Sequence, residues 1–157
     1  MTTTNPAAPA APLAPPDPAR IAKTVATKLP FRGDVTGLTP LAGDASNRRY
    51  FRVALKGKPS ALILMQLADP EGFKKSEEAV SGASVQIAEL PFTNVLAHLQ
   101  RTGVTVPQLH YYDREAGLLY LEDFGDLTLA EACRDADRAR LVSLYRQAID
   151  QLVLLQV

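Results

Sequence analysis

The chain has 157 residues, 46% of them hydrophobic and 22% charged, which is ordinary globular composition with apolar material for one modest core. Seventeen basic residues balance seventeen acidic ones, so the global positive field of a general nucleic-acid binder or of a protein that adheres to anionic membranes is missing. Cys133 is the single cysteine, which excludes an intrachain disulfide and any multi-cysteine metal site and suits a reducing, cytoplasmic compartment, and no apolar run approaches the roughly 20 residues of a membrane-spanning helix.

Residues 1–16 contain only Met, Thr, Asn, Pro, Ala and Leu. Five prolines there oppose a helix and the absence of charge removes the basic start of a secretory signal, so residues 1–17 read as a disordered, partly polyproline-like tail. Asp17-Pro18 is a helix start, a capping carboxylate before a proline at the first helical position, and Ile21, Val25 and Leu29 then share one stripe. Three strands are expected at about 36–42, 48–55 and 60–67, the last with the apolar run Ala61-Leu62-Ile63-Leu64-Met65 that a central strand should have, and Lys56-Gly57-Lys58-Pro59 is the hairpin turn. Residues 69–90 are polar with weak periodicity and read as a mobile excursion with some helix. Phe92, Val95, Leu96 and Leu99 recur at helical spacing before Gly103, a C-cap, and strands at 108–113 and 118–122 follow around a turn at Glu115-Ala116-Gly117. From Asp137 onward Leu141, Leu144, Tyr145, Ala148, Ile149, Leu152 and Leu155 form a wide apolar stripe that needs a partner. Helix, three strands, helix, two strands and closing helices make an α+β arrangement with a five-stranded antiparallel sheet.

Two segments carry chemistry. In Leu41-Ala42-Gly43-Asp44-Ala45-Ser46-Asn47-Arg48-Arg49-Tyr50-Phe51-Arg52-Val53, a turn of small residues joins two strands, and backbone amides in such a turn can cradle phosphate oxygens. Taken alone, the same residues also make an ordinary β-turn flanked by solvated arginines. Strand alternation puts Arg48 and Tyr50 on one face and Arg49, Phe51 and Val53 on the other. The second segment, Gly117-Leu118-Leu119-Tyr120-Leu121-Glu122-Asp123-Phe124-Gly125-Asp126, is an apolar strand that stops in an acidic bend; its plainer reading is a strand followed by a helix capped by Asp126.

Together the two segments resemble the small lobe of the aminoglycoside phosphotransferase and choline kinase-like family, relatives of protein kinases, and within it the bacterial kinases of cell-wall amino sugars, N-acetylmuramate and N-acetylglucosamine. The resemblance spans roughly residues 20–157 and implies a protein-kinase-like N-terminal lobe over 18–124, nucleotide-binding, with 125–157 as hinge-following helices that begin an incomplete C-terminal lobe. It implies ATP as ligand, with magnesium and a sugar substrate in a complete enzyme. By resemblance Gly43, Asp44, Ala45, Ser46 and Asn47 form the phosphate loop, and the main chain of Glu122 and Phe124 meets the adenine edge. Val53 is then expected in the adenine roof, Leu121 in the pocket wall, Arg49 toward the cleft and Arg52 toward solvent.

The third strand carries Met65-Gln66 where many kinases have a phosphate-pairing lysine, and Glu77, Glu78 and Glu89 are either its helix acids or a solvated stretch. The family's His-Gly-Asp-x-x-x-x-Asn catalytic loop does not occur in the 157 residues. The expectation is therefore a nucleotide-binding portion of an amino-sugar kinase that binds nucleotide weakly and is inactive alone, with no catalytic residue of its own. The alternative is a noncatalytic interaction module docking through its C-terminal helix, with residues 137–157 as a surface for self-association. His98 and His110 have no clustered ligands, and no metal site, nucleic-acid partner or membrane partner is expected.

Overall fold

The computed structural model describes residues 13–42, 48–69 and 90–156. Helix α1 (Pro18–Lys28) starts as its sequence dictates: the Asp17 carboxylate accepts from the Ala19 N–H at 2.9 Å and Pro18 occupies the first turn, where no amide donor is needed. Its stripe of Ile21, Val25 and Leu29 is buried. Strands β1 (Asp34–Pro40), β2 (Arg48–Lys56), β3 (Ala61–Leu67), β4 (Leu109–Asp113) and β5 (Leu118–Glu122) form one antiparallel sheet in the order β1-β2-β3-β5-β4. Helix α2 (Pro91–Arg101) lies between β3 and β4, and α3 (Leu129–Arg134) and α4 (Arg138–Leu154) follow β5. This is the expected α+β small lobe, with each strand close to its anticipated position. Gly103 ends α2 as anticipated: at φ 83° it takes a left-handed turn that lets Val104 N–H reach the Leu99 carbonyl at 3.0 Å.

Both faces of the sheet are covered, which explains the apolar run Ala61–Met65 of β3. On the outer face Phe51, Leu64 and Tyr120 stand in one cross-strand row, with Val53 and Leu62 beside them, and Ile21, Val25 and Leu29 of α1 close over them. On the inner face Met65 and Leu119 are fully buried with Leu96 of α2 and Leu90. An ion pair ties α1 to the turn between β4 and β5: Arg20 donates from Nε and Nη2 to both oxygens of Asp113 at 2.7 and 2.9 Å, and from Nη2 to Glu115 at 2.8 Å. That hydrogen bonding raises the Arg20 pKa further and holds the Asp113 carboxyl below the usual carboxylate range.

Three expectations are corrected. The tail was expected to be disordered through residue 17, yet Pro16 is buried, and Arg49 and Gln66, cross-strand neighbours on the outer face, donate to the carbonyls of Leu13 and Ala14. A polyproline-like segment bonds none of its carbonyls internally, so side-chain donors can hold it against a sheet. The cap after β5 is Thr128, not Asp126: the Thr128 hydroxyl accepts from Glu131 N–H at 3.2 Å and Glu131 accepts from Thr128 N–H at 2.9 Å, a reciprocal box that leaves Asp126 for another partner. The sides taken by Arg49, Val53 and Arg52 also differ from expectation, as described with the site. Nearly all of the 69–90 excursion, with Glu77, Glu78 and Glu89, lies outside the described residues.

Helix α4 begins at the expected cap, with Asp137 accepting from Arg140 N–H at 2.7 Å, and no residue along it is buried. Val142, Tyr145, Ile149 and Leu152 form an open apolar stripe, each more than half exposed. Gln151 accepts from Thr105 N–H at 2.7 Å, which tethers α4 to the segment after α2. Among the described residues no helix is long and apolar enough to cross a membrane.

Candidate functional site

The inner face of the sheet opens beside α2 into a groove of about 560 Å³. Its back wall is the row Arg52–Ile63–Leu121, three residues in register on β2, β3 and β5, with Tyr50 next along β2. Helix α2 contributes Phe92, Leu96 and Leu99, the segment before β4 contributes Val106 and Pro107, and residues 122–126 form the rim. Apolar walls with a few fixed polar groups at one edge are the usual make-up of a small-molecule groove. A second hollow, of about 520 Å³ along α1, mixes Arg20, Lys23 and Lys28 with Asp17, Asp113 and Glu115. Its charges largely answer one another, and Arg20 is already committed.

Arg52 dominates the polar edge. Its Nε and Nη2 donate to the Asp123 carboxylate at 2.7 and 3.2 Å, and Nη1 and Nη2 donate to Asp126 at 2.8 Å each. The chain makes this possible by turning sharply after β5. Gly125 sits at φ 79°, a left-handed value that favours glycine, and its N–H returns to the Asp123 carboxylate at 2.8 Å, so that Asp126 swings round to the same guanidinium. Hydrogen bonding to Arg52 lowers the Asp126 pKa, and the two carboxylates raise that of Arg52. Among the described residues that line the groove, Arg52 is the only cationic side chain.

The rim is braced by Gln108, the residue before β4. Glu122 N–H donates to the Gln108 carbonyl at 2.9 Å, and Gln108 N–H donates back to the Glu122 carboxylate at 3.1 Å. The Glu122 amide is thereby occupied. Phe124 stands at the mouth, 56% exposed, and Leu121 is buried in the wall. The sequence-predicted residues Leu121, Glu122 and Phe124 are thus together on the groove.

Val53 and Arg49 are not. Both lie on the outer face, Val53 wholly buried beneath α1 and Arg49 stacked 5.1 Å from the Phe51 ring. The alternation along β2 is as expected, but its apolar side, Phe51 and Val53, is buried in one cluster with Ile21, Val25 and Leu29, and so Tyr50 and Arg52 turn to the groove. Gly43, Asp44, Ala45, Ser46 and Asn47 lie outside the described residues. Met65, at the position where many kinases carry a lysine, is buried against α2, and Gln66 lies on the outer face. The residues missed were Tyr50, Ile63, Arg52 and Asp123. Their one signal was an arginine of fixed parity on β2 and a pair of aspartates three residues apart after β5.

His110 packs edge-on against Phe31 with ring centres 5.0 Å apart, and desolvation lowers its pKa while the nearby Glu122 charge opposes the shift. Among the described residues no three His, Cys, Asp or Glu side chains are grouped to hold a metal ion.

The antiparallel lobe, its packed α2 and a groove ending at the bend after β5 define a kinase-like small lobe. Residues 37–157, most of the chain, match the phosphotransferase enzyme family APH, and the chain belongs to that family. It is also similar to the N-acetylmuramate/N-acetylglucosamine kinase of Pseudomonas aeruginosa, with 29% identity over 119 residues. That match takes in 76% of this chain and 29% of the relative, so the chain spans less than a third of the relative's length. No solved structure matches the chain.

Proposed function

We propose that this chain is the nucleotide-binding part of an ATP-dependent kinase acting on an amino sugar, located in the cytoplasm. The observation that carries the reading is the groove whose wall is Ile63 and Leu121 and whose rim is the main chain of 122–124, in a member of a phosphotransferase family. A purine fits such a slot through apolar contact with the wall and hydrogen bonds along the rim, the Glu122 carbonyl accepting and the Phe124 amide donating. The Gly43–Asn47 loop would then hold the phosphates through backbone amides. Magnesium, when bound in a complete enzyme, offsets phosphate charge as the γ-phosphoryl group leaves. The similarity to an N-acetylmuramate/N-acetylglucosamine kinase supports an amino-sugar hydroxyl as acceptor. These 157 residues contain no His-Gly-Asp triplet, and the reading assigns them no catalytic residue.

Affinity of the chain for ATP is expected to be weak, with a Kd in the millimolar range, corresponding to only about 4 kcal/mol. A base held from one side stays wet, and little burial is gained against the entropy of fixing it. Titration followed by amide chemical shifts should perturb residues 121–125 and the middle of β3. A low-micromolar Kd by calorimetry would contradict the open-slot argument, and saturating ATP without any shift at 121–125 would remove the nucleotide reading.

One observation favours a second reading, a noncatalytic module that docks through α4: the open stripe Val142, Tyr145, Ile149 and Leu152. Burying a leucine-sized side chain contributes about 1.5–3 kcal/mol, so several together drive association. The chain is expected to self-associate with rising concentration, and Ile149→Lys with Leu152→Lys should return it to monomer without unfolding the sheet. Light scattering that finds the unaltered chain monomeric throughout would defeat this expectation.

A further inference from the structure

Strand β3 lies between β2 and β5, so no backbone ladder joins β2 to the segment that leaves β5. The Arg52 guanidinium spans that interval, reaching Asp123 and Asp126, which lie 71 and 74 residues further along the chain. An isolated surface ion pair contributes little, because water competes and two flexible side chains must be ordered. Here the geometry differs. One rigid fork grips two carboxylates through four hydrogen bonds, the Arg52 side chain is 26% exposed, and that of Asp123 only 10%. The same guanidinium stands beside Ile63 and Leu121 in the groove wall, while Asp123 separates the two rim residues Glu122 and Phe124.

We propose that Arg52 is a positioning residue: by holding Asp123 and Asp126 it fixes the rim against the wall and sets the opening of the slot that takes the purine base. The proposal rests on the nucleotide reading above for its ligand, and on the geometry alone for the grip. Without the grip, residues 123–126 keep their own chain connections and the Gln108 brace at Glu122, and the rim widens. The phosphate end of a nucleotide would be unaffected, since the grip lies at the base end.

The test compares the unaltered chain with Arg52→Met, Arg52→Lys and Asp123→Asn by amide hydrogen exchange and by chemical-shift titration with adenosine and with inorganic tripolyphosphate. Arg52→Lys keeps the charge and loses the fork, so it serves even where the methionine variant folds poorly. Expected are faster exchange at 123–127 with unchanged exchange at 62–64 and 118–120, an adenosine Kd raised about tenfold in Arg52→Met and Asp123→Asn, an intermediate rise in Arg52→Lys, and tripolyphosphate affinity unchanged. Unaltered exchange at 123–127 overturns the grip. Unaltered adenosine affinity overturns the control of the slot, and so does a parallel loss of both ligands with faster exchange in the core strands, which would mark general destabilisation. If the unaltered chain takes no adenosine, the nucleotide reading and the slot fall together, and the exchange measurement alone decides whether Arg52 holds the rim.

Discussion

Leu64→Ala is expected to destabilise the chain by about 2–5 kcal/mol, the largest effect of any single truncation considered. Leu64 is wholly buried at the centre of β3, flanked in register by Phe51 on β2 and Tyr120 on β5 and covered by α1. Removing its branched end forfeits the transfer free energy of the lost carbons and leaves a cavity that two large aromatic neighbours, each fixed by its own strand, cannot collapse into. Urea titration should show a lower midpoint with an unchanged slope, because the surface exposed on unfolding is nearly the same. Val95→Ala, on the exposed side of α2 and away from the groove lining, is the control, and its change should stay within about 0.5 kcal/mol. A loss at Leu64 no larger than that at Val95 would mean that the outer face of the sheet is not a close-packed core.

Asp113→Ala is expected to cost about 1–3 kcal/mol at neutral pH, less than the roughly 3–5 kcal/mol for breaking a fully buried pair because the Arg20 side chain keeps 36% of its exposure. The substitution takes both Asp113 oxygens from Arg20, leaves it the exposed Glu115, and removes the acceptor for Ala116 N–H at 3.2 Å. The pH dependence follows from the direction of the shift. Hydrogen bonding to Arg20 lowers the folded-state pKa of Asp113, so over the interval between that value and the ordinary carboxylate pKa of about 3.9 the unfolded chain binds more protons. Stability from this group is therefore fully present above the ordinary value and is lost as pH falls through the folded one. The gap in urea midpoint between the unaltered chain and Asp113→Ala should be wide at pH 7 and narrow on acidification. Asp126 and Glu131, whose pKa values are also lowered, are present in both proteins and cancel in the difference. A gap that persists undiminished in acid would assign the role of Asp113 to packing rather than to charge.

The outcome at β2 shows where local reading stops. Alternation is a property of any extended chain, so the grouping of Arg49 with Phe51 and Val53, and of Tyr50 with Arg52, was legible from residue order alone. Which group meets the groove was not, because a sheet covered on both sides has two apolar faces and β2 cannot know which of them α1 will close. The rim was legible for a different reason. An apolar strand that ends in Glu122-Asp123-Phe124-Gly125-Asp126 must leave the sheet there, and the segment beyond it is placed by that exit.

What the sequence determined by itself was local: the Asp17-Pro18 start of α1, the buried centre of β3, the end of α2 at Gly103 and the start of α4 at Asp137, each set by a capping group, a backbone preference or a periodicity within a few residues. Membership of a kinase-like lobe was also legible, because two such local signatures occur in order with a strand pattern between them. The tertiary structure alone decided the pairings across distance: Arg20 with Asp113, Arg52 with Asp123 and Asp126, and Arg49 and Gln66 with the carbonyls of Leu13 and Ala14. A charged side chain carries no mark of its partner. Coulomb attraction in water is weak enough that burial and backbone placement choose among many acceptable partners, and those are set only once the sheet has formed and α1 has closed over it.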